Sequence, residues 1–153
     1  MPHVNDKAPD FTLFDTGRQP VSLKDYEGKQ LVIAFFPAAF TGVCEKELCT
    51  FQGDLAGLRD LNADVVAICV DSPFANKAFA AKTGATFPIL SDYAREVVTA
   101  YGVALNDFAG MAGYTASERA VFIVNEQGGV AYKWVGENPG VEPNYDEIKA
   151  ALA

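Results

Sequence analysis

Three cysteines, Cys44, Cys49 and Cys69, are the side chains of this 153-residue sequence best equipped for covalent chemistry. Two of them lie in the segment Pro37-Ala38-Ala39-Phe40-Thr41-Gly42-Val43-Cys44-Glu45-Lys46-Glu47-Leu48-Cys49. A thiolate is a nucleophile. Its oxidation product, a sulfenic acid, condenses with a second thiol to give a disulfide. Such a thiol needs surroundings that stabilise its anion. This segment lies where an apolar run gives way to a helical pattern, and a helix start carries unpaired N–H groups and a partial positive charge. Thr41 suits the N-cap, which makes Cys44 the third helical residue, a reactive position on physical grounds alone. Cys69 lies in an apolar run and reads as a small, inert core residue.

A metal reading fits poorly. The spacing is C-x4-C rather than C-x2-C, there is no second close pair, and the lone histidine is His3 near the N-terminus. No metal or cofactor is expected.

The elements that must hold these residues can be read from periodicity. Residues 11–23 alternate and turn at Thr16-Gly17, which predicts an N-terminal β-hairpin. Residues 30–36, Gln-Leu-Val-Ile-Ala-Phe-Phe, are continuously apolar after the first and stop at Pro37, as a strand buried on both faces does. Residues 64–70 form a second such run. Between them Cys44, Leu48, Phe51, Leu55 and Leu58 recur at helical spacing and mark one face of a helix. Strand–helix–strand over residues 30–70 is a βαβ unit with a right-handed crossover. Further helices are expected over 74–83, ended by Gly84, over 93–100 before Gly102, and over 144–152. A short strand is expected at 87–90, and a hairpin over 119–125 and 130–135. The expected fold is α/β and thioredoxin-like: one domain, residues 1–153, with a central mixed sheet flanked by helices.

Composition bounds the partners. Half the residues are hydrophobic and the net charge is −8, with an isoelectric point near 4.5. Acidic balance disfavours nucleic acid and anionic lipid. The longest apolar run, Leu31 to Phe40, contains Pro37 and is too short to span a bilayer. Residues 1–8 show no basic or apolar signal pattern, and three cysteines do not make a secreted disulfide framework. A reducing cytoplasm is the expected compartment.

The segment around Cys44 resembles the peroxiredoxin signature P-x-x-x-T-x-x-C, with Pro37, Thr41 and Cys44 in its fixed places. Glu47, three residues on, and Arg119, opening the apolar run Arg119-Ala-Val-Phe-Ile-Val, match two further family positions. Ala8-Pro-Asp-Phe11 and Pro88-Ile-Leu-Ser-Asp92 are similar to family text as well, so the resemblance spans nearly the whole chain. It implies a thiol-dependent peroxidase that reduces hydrogen peroxide and organic hydroperoxides. Cys44 is then the attacking thiolate, Pro37 shields it, Thr41 hydrogen-bonds the peroxide, Arg119 stabilises charge and Glu47 steadies Arg119. By the same resemblance, to the bacterioferritin-comigratory-protein (Q-type) and alkyl-hydroperoxide-reductase E branches, Cys49 is the resolving thiol. Thioredoxin, or a glutaredoxin-like donor, is the implied reductant, and a homodimer is possible. The alternative is a one-cysteine peroxidase or peroxide sensor resolved by an external thiol. A thioredoxin-type oxidoreductase, the rival on the same fold, normally uses C-x-x-C, which is absent.

Overall fold

The computed structural model describes all residues, 1–153. Its centre is β3, Gln30–Phe35, whose run of Leu, Val, Ile, Ala and Phe is buried throughout. Consecutive residues of a strand face opposite ways, so an unbroken apolar run fits only where both sheet faces are covered. Leu31, Ile33 and Phe35 pack into one core layer, and Val32 and Ala34 into the other.

The remaining sheet grows outward from β3. On one side lie β4, Ala63–Cys69, and β5, Ile89–Ser91, both parallel to it. On the other side β8, Ala120–Val124, runs antiparallel to β3, and β9, Val130–Val135, pairs with β8. The N-terminal hairpin, β1 (Thr12–Phe14) and β2 (Pro20–Ser22), completes the far edge through a contact of Phe14 with Ser91. The seven strands stand in the order β2-β1-β5-β4-β3-β8-β9. This is the mixed central sheet of the thioredoxin-like expectation, with the predicted hairpin in place.

Helices α1 (Gly42–Asp60) and α2 (Pro73–Thr83) follow β3 and β4. Leu48, Phe51, Leu55 and Leu58 of α1 are at most 3 % exposed, and each such burial stabilises by about 1.5–3 kcal/mol. Cys44 belongs to the same stripe. Helix α2 has complete stop and start signals. Ser72 accepts a hydrogen bond from the Ala75 N–H, Pro73 opens the helix, and Gly84 closes it at φ +74°. Helix α4, Tyr145–Leu152, is capped by Asn144 and buries Ile148 and Leu152 against the α1 layer. The opposite layer is centred on Phe35, Tyr101 and Phe122, with ring centroids 5.1–5.8 Å apart.

Two expectations shift. The helix expected over 93–100 is shorter, α3 at Glu96–Ala100, because the Asp92 carboxylate accepts from the Val97 and Val98 N–H groups and fixes the start there. The short strand lies at 89–91 rather than 87–90, since Pro88 cannot donate to a ladder. A small ladder between β6, Ala104–Leu105, and β7, Ala116–Ser117, has no sequence signal long enough to read. No helix is long and apolar enough to cross a membrane.

Candidate active site

Cys44 sits at the C-terminal end of β3, where open α/β sheets place their ligands. β3 ends at Phe35, and buried Pro37 begins the turn that delivers the chain to α1. Ala39 N–H donates to the Asp71 carboxylate at 2.8 Å, which ties this loop to the end of β4. Phe40 adopts φ +65°, an uncommon region for a bulky residue. Its cost, of order 1–3 kcal/mol, is offset by the packing around it.

Thr41 is the N-cap of α1 by backbone, at φ −86° and ψ 145°. Its side chain departs from the capping expectation. The hydroxyl donates to the Ala38 carbonyl at 3.0 Å instead of accepting from the helix. Its oxygen lone pairs therefore stay free, and the N–H of Cys44 has no intramolecular acceptor. Both face the start of the helix that carries the thiol.

Arg119 joins the site from the residue before β8. Its guanidinium donates from Nη2 to Cys44 Sγ at 3.0 Å, from Nη1 to Glu47 Oε1 at 2.8 Å and from Nε to the Pro139 carbonyl at 2.9 Å. Two of its five N–H groups remain. The side chains of Arg119 and Glu47 are 1 % and 0 % exposed. Glu47 Oε2 has no partner. Burial pushes the Glu47 carboxyl up to about 7, with Arg119 opposing the rise. For Arg119, burial works to lower its pKa, but Glu47 and Cys44 outweigh it and hold the guanidinium firmly protonated. One buried cation thus serves two acidic groups, a carboxyl and a thiol.

These contacts bring Cys44, Glu47 and Arg119 together, with Thr41 at the cap of the same helix and Pro37 in the loop before it. Cys49 is apart from them. It is exposed, and its thiol donates to the Thr83 carbonyl at 3.7 Å. Cys69 is fully buried and donates to Asn76 Oδ1 at 3.1 Å. Burial raises the Cys69 thiol well above its ordinary value, so it stays protonated in the fold. Asp71 is the residue that sequence reasoning missed. Its bond to Ala39 N–H is long-range, and nothing in the local pattern marks it. A groove of about 760 Å³ is lined by Lys7, Lys24, Leu31 and Glu126 among others. It opens at the N-terminal end of β3, away from the cysteine.

Residues 4–133 match the AhpC/TSA family. The chain is a peroxiredoxin of the AhpC/TSA family. Alkyl hydroperoxide reductase E of Mycobacterium bovis is 40 % identical to it over 131 residues, covering 84 % of this chain and 82 % of that one. The crystal structure of peroxidoxin BcpB from Mycobacterium tuberculosis superposes with a TM-score of 0.87 at 25 % identity, covering 99 % of this chain and 97 % of that one. A PrxQ mutant from Xylella fastidiosa shares the fold with a TM-score of 0.85 at 22 % identity, covering 99 % and 94 %. The likeness to the Q-type and alkyl-hydroperoxide-reductase E branches is thereby upheld. As a peroxiredoxin, the protein is an oxidoreductase that reduces peroxides at the expense of a thiol.

Proposed function

We propose that Cys44 is the peroxide-reducing thiolate and that Cys49 resolves its oxidised form. The carrying observation is the 3.0 Å contact between Arg119 Nη2 and Cys44 Sγ at the first turn of α1. A guanidinium N–H donating to sulfur sets a fixed cation beside the atom that attacks. The thiolate attacks one peroxide oxygen, the O–O bond breaks, and the other oxygen leaves as hydroxide or alkoxide and takes a proton. Developing charge on that oxygen is met by the free guanidinium N–H groups and the Cys44 N–H. The free lone pairs of Thr41 accept from a peroxide O–H, and Pro37 excludes water from the sulfur's flank.

Cys44 sulfenic acid then meets the Cys49 thiol. The new S–S bond forms as the S–O bond breaks and water leaves. In an intact helix, residues five apart are related by a rise of about 7.5 Å and a turn of about 140°, which separates their Cα atoms by roughly 8.6 Å. A disulfide needs them within about 7 Å. Both cysteines lie inside α1, so its first turns open before the bond closes. A dithiol donor of the thioredoxin or glutaredoxin kind then reduces the disulfide and restores Cys44. Residues 1–153 carry this cycle as one domain.

The test is stopped-flow mixing of reduced protein with hydrogen peroxide and with an organic hydroperoxide, followed by peptide mapping. Cys44→Ser abolishes turnover, since a serine hydroxyl offers almost no anion at neutral pH. The wild type yields a Cys44–Cys49 bond. Turnover in Cys44→Ser overturns the assignment of the nucleophile. Sulfenic acid that persists until an external thiol is added points to the one-cysteine alternative.

A further inference from the structure

The last turn of α2 holds the segment around Cys44 at three points that peroxide attack does not use. The Phe79 ring lies 5.2 Å from that of Phe40. Lys82 Nζ lies 2.9 Å from Glu45 Oε1 and 5.8 Å above the Phe40 ring. The Thr83 carbonyl accepts from the Cys49 thiol. These contacts run from the loop before α1 to the second cysteine.

We propose that Lys82 is a positioning residue: by holding both Glu45 and Phe40 it fastens residues 40–49 in the folded geometry, and its release gates formation of the Cys44–Cys49 disulfide. The proposal rests on the reading of Cys49 as the resolving thiol. Its first support is which partner can move. Helix α2 is fixed by the Ser72 cap, by the Gly84 closure and by fully buried Phe79. Glu45 and Phe40 belong to the segment that must rearrange when the first turns of α1 open. Opening therefore separates Glu45 and Phe40 from a stationary Lys82.

The second support is the strength of the contacts. The Arg119–Glu47 pair is buried, whereas the side chains of Lys82 and Glu45 are 56 % and 28 % exposed. An ion pair in contact with solvent is weak and reversible, and a cation above a ring adds a comparable small amount. Contacts of that size bias an opening equilibrium without blocking it. Solvent contact also makes this hold sensitive to salt, unlike the buried pair. The third support is Phe40 itself, whose φ of +65° is kept by its neighbours and relaxes once they let go. In the gated step Cys49 sulfur bonds to Cys44 sulfur, the S–O bond of the sulfenic acid breaks, and water carries off the oxygen and the thiol proton.

The experiment is rapid-quench mass spectrometry after one equivalent of hydrogen peroxide, on wild type, Lys82→Met and Lys82→Arg, with hydrogen exchange on the reduced proteins. Lys82→Met keeps the apolar stem and removes the cation. It is expected to form the disulfide roughly two- to tenfold faster, with faster exchange over residues 41–49 and unchanged exchange in β3 and β4. Lys82→Arg restores the wild-type rate, which a merely structural role of the stem would not require. Sodium chloride at about 0.5 M moves wild type toward Lys82→Met and changes that variant less, through the remaining exposed Lys46–Glu142 pair. Equal disulfide rates in wild type and Lys82→Met overturn the gate alone, as does an Arg variant that behaves like Met. A wild type that forms sulfenic acid but never the Cys44–Cys49 bond overturns the reading of Cys49 and the gate with it.

Discussion

Arg119 Nη2 donates to Cys44 Sγ across 3.0 Å of space and 75 residues of sequence. The same guanidinium holds Glu47 and the Pro139 carbonyl, so it is fixed before any substrate arrives. Donors fixed in advance at the site of developing charge need no reorganisation during reaction.

Arg119→Ala is expected to lower the peroxide rate constant by about 10²–10³. It also strands Glu47 in the interior, at about 3–5 kcal/mol of stability. The variant thus loses both properties, contrary to what a solvated strand-end arginine would do. Arg119→Lys keeps the charge without the planar fork and falls between the two. Stopped-flow rates and urea unfolding on the same preparations check both losses.

Glu47 gives the fold a pH dependence of definite sign. Burial raises its carboxyl to about 7 from 4.5. Between those values the native protein keeps a proton that the unfolded chain has released. Stability therefore falls as pH rises from about 4.5 to 7, by on the order of 3 kcal/mol for this group. The groups facing it are Arg119, Glu142 and Tyr145. Glu47→Gln flattens this part of the curve. Urea titrations of the reduced protein at pH 5 and 7.5 check it, and equal pH slopes in both proteins would count against the assignment.

Cys69 is expected to resist alkylation in the native state while exposed Cys49 reacts readily. Cys69→Ala removes the thiol and leaves Asn76 Oδ1 without its donor, at about 2 kcal/mol. Cys69→Ser keeps the bond and loses less. Both variants retain turnover with a thioredoxin-type reductant. A mapped Cys44–Cys69 disulfide would show that Cys69 takes part.

Gly53 and Gly57 are exposed positions of α1 where an added Cβ meets no atom within 4 Å. Gly53→Ala and Gly57→Ala should each stabilise the protein by about 0.5–1 kcal/mol. Thermal unfolding of the reduced single and double variants measures this, and an unchanged midpoint in both would contradict it.

The local sequence determined much of the frame. The run Leu31–Phe36, stopped by Pro37, reads as a strand covered on both faces. The stripe Cys44, Leu48, Phe51, Leu55 and Leu58 could only be the inner face of a helix. Their junction put a cysteine at a helix start. These readings work because side-chain period and chain breakers act over a few residues. The family text added which distant residues to watch. What the sequence could not supply was every relationship that depends on non-local approach. That Glu47 is buried rather than solvated follows from Arg119 arriving just before β8. That Thr41 turns its hydroxyl to Ala38 follows from the path of the 37–41 loop, held by Asp71 through Ala39. Cys49 falls just off the buried stripe, and the last turn of α2 takes its thiol. A carboxylate reads alike in sequence whether water or a guanidinium will face it. Only the packed sheet and helices decide which, because the cost of removing a charge from water depends on what surrounds it in three dimensions.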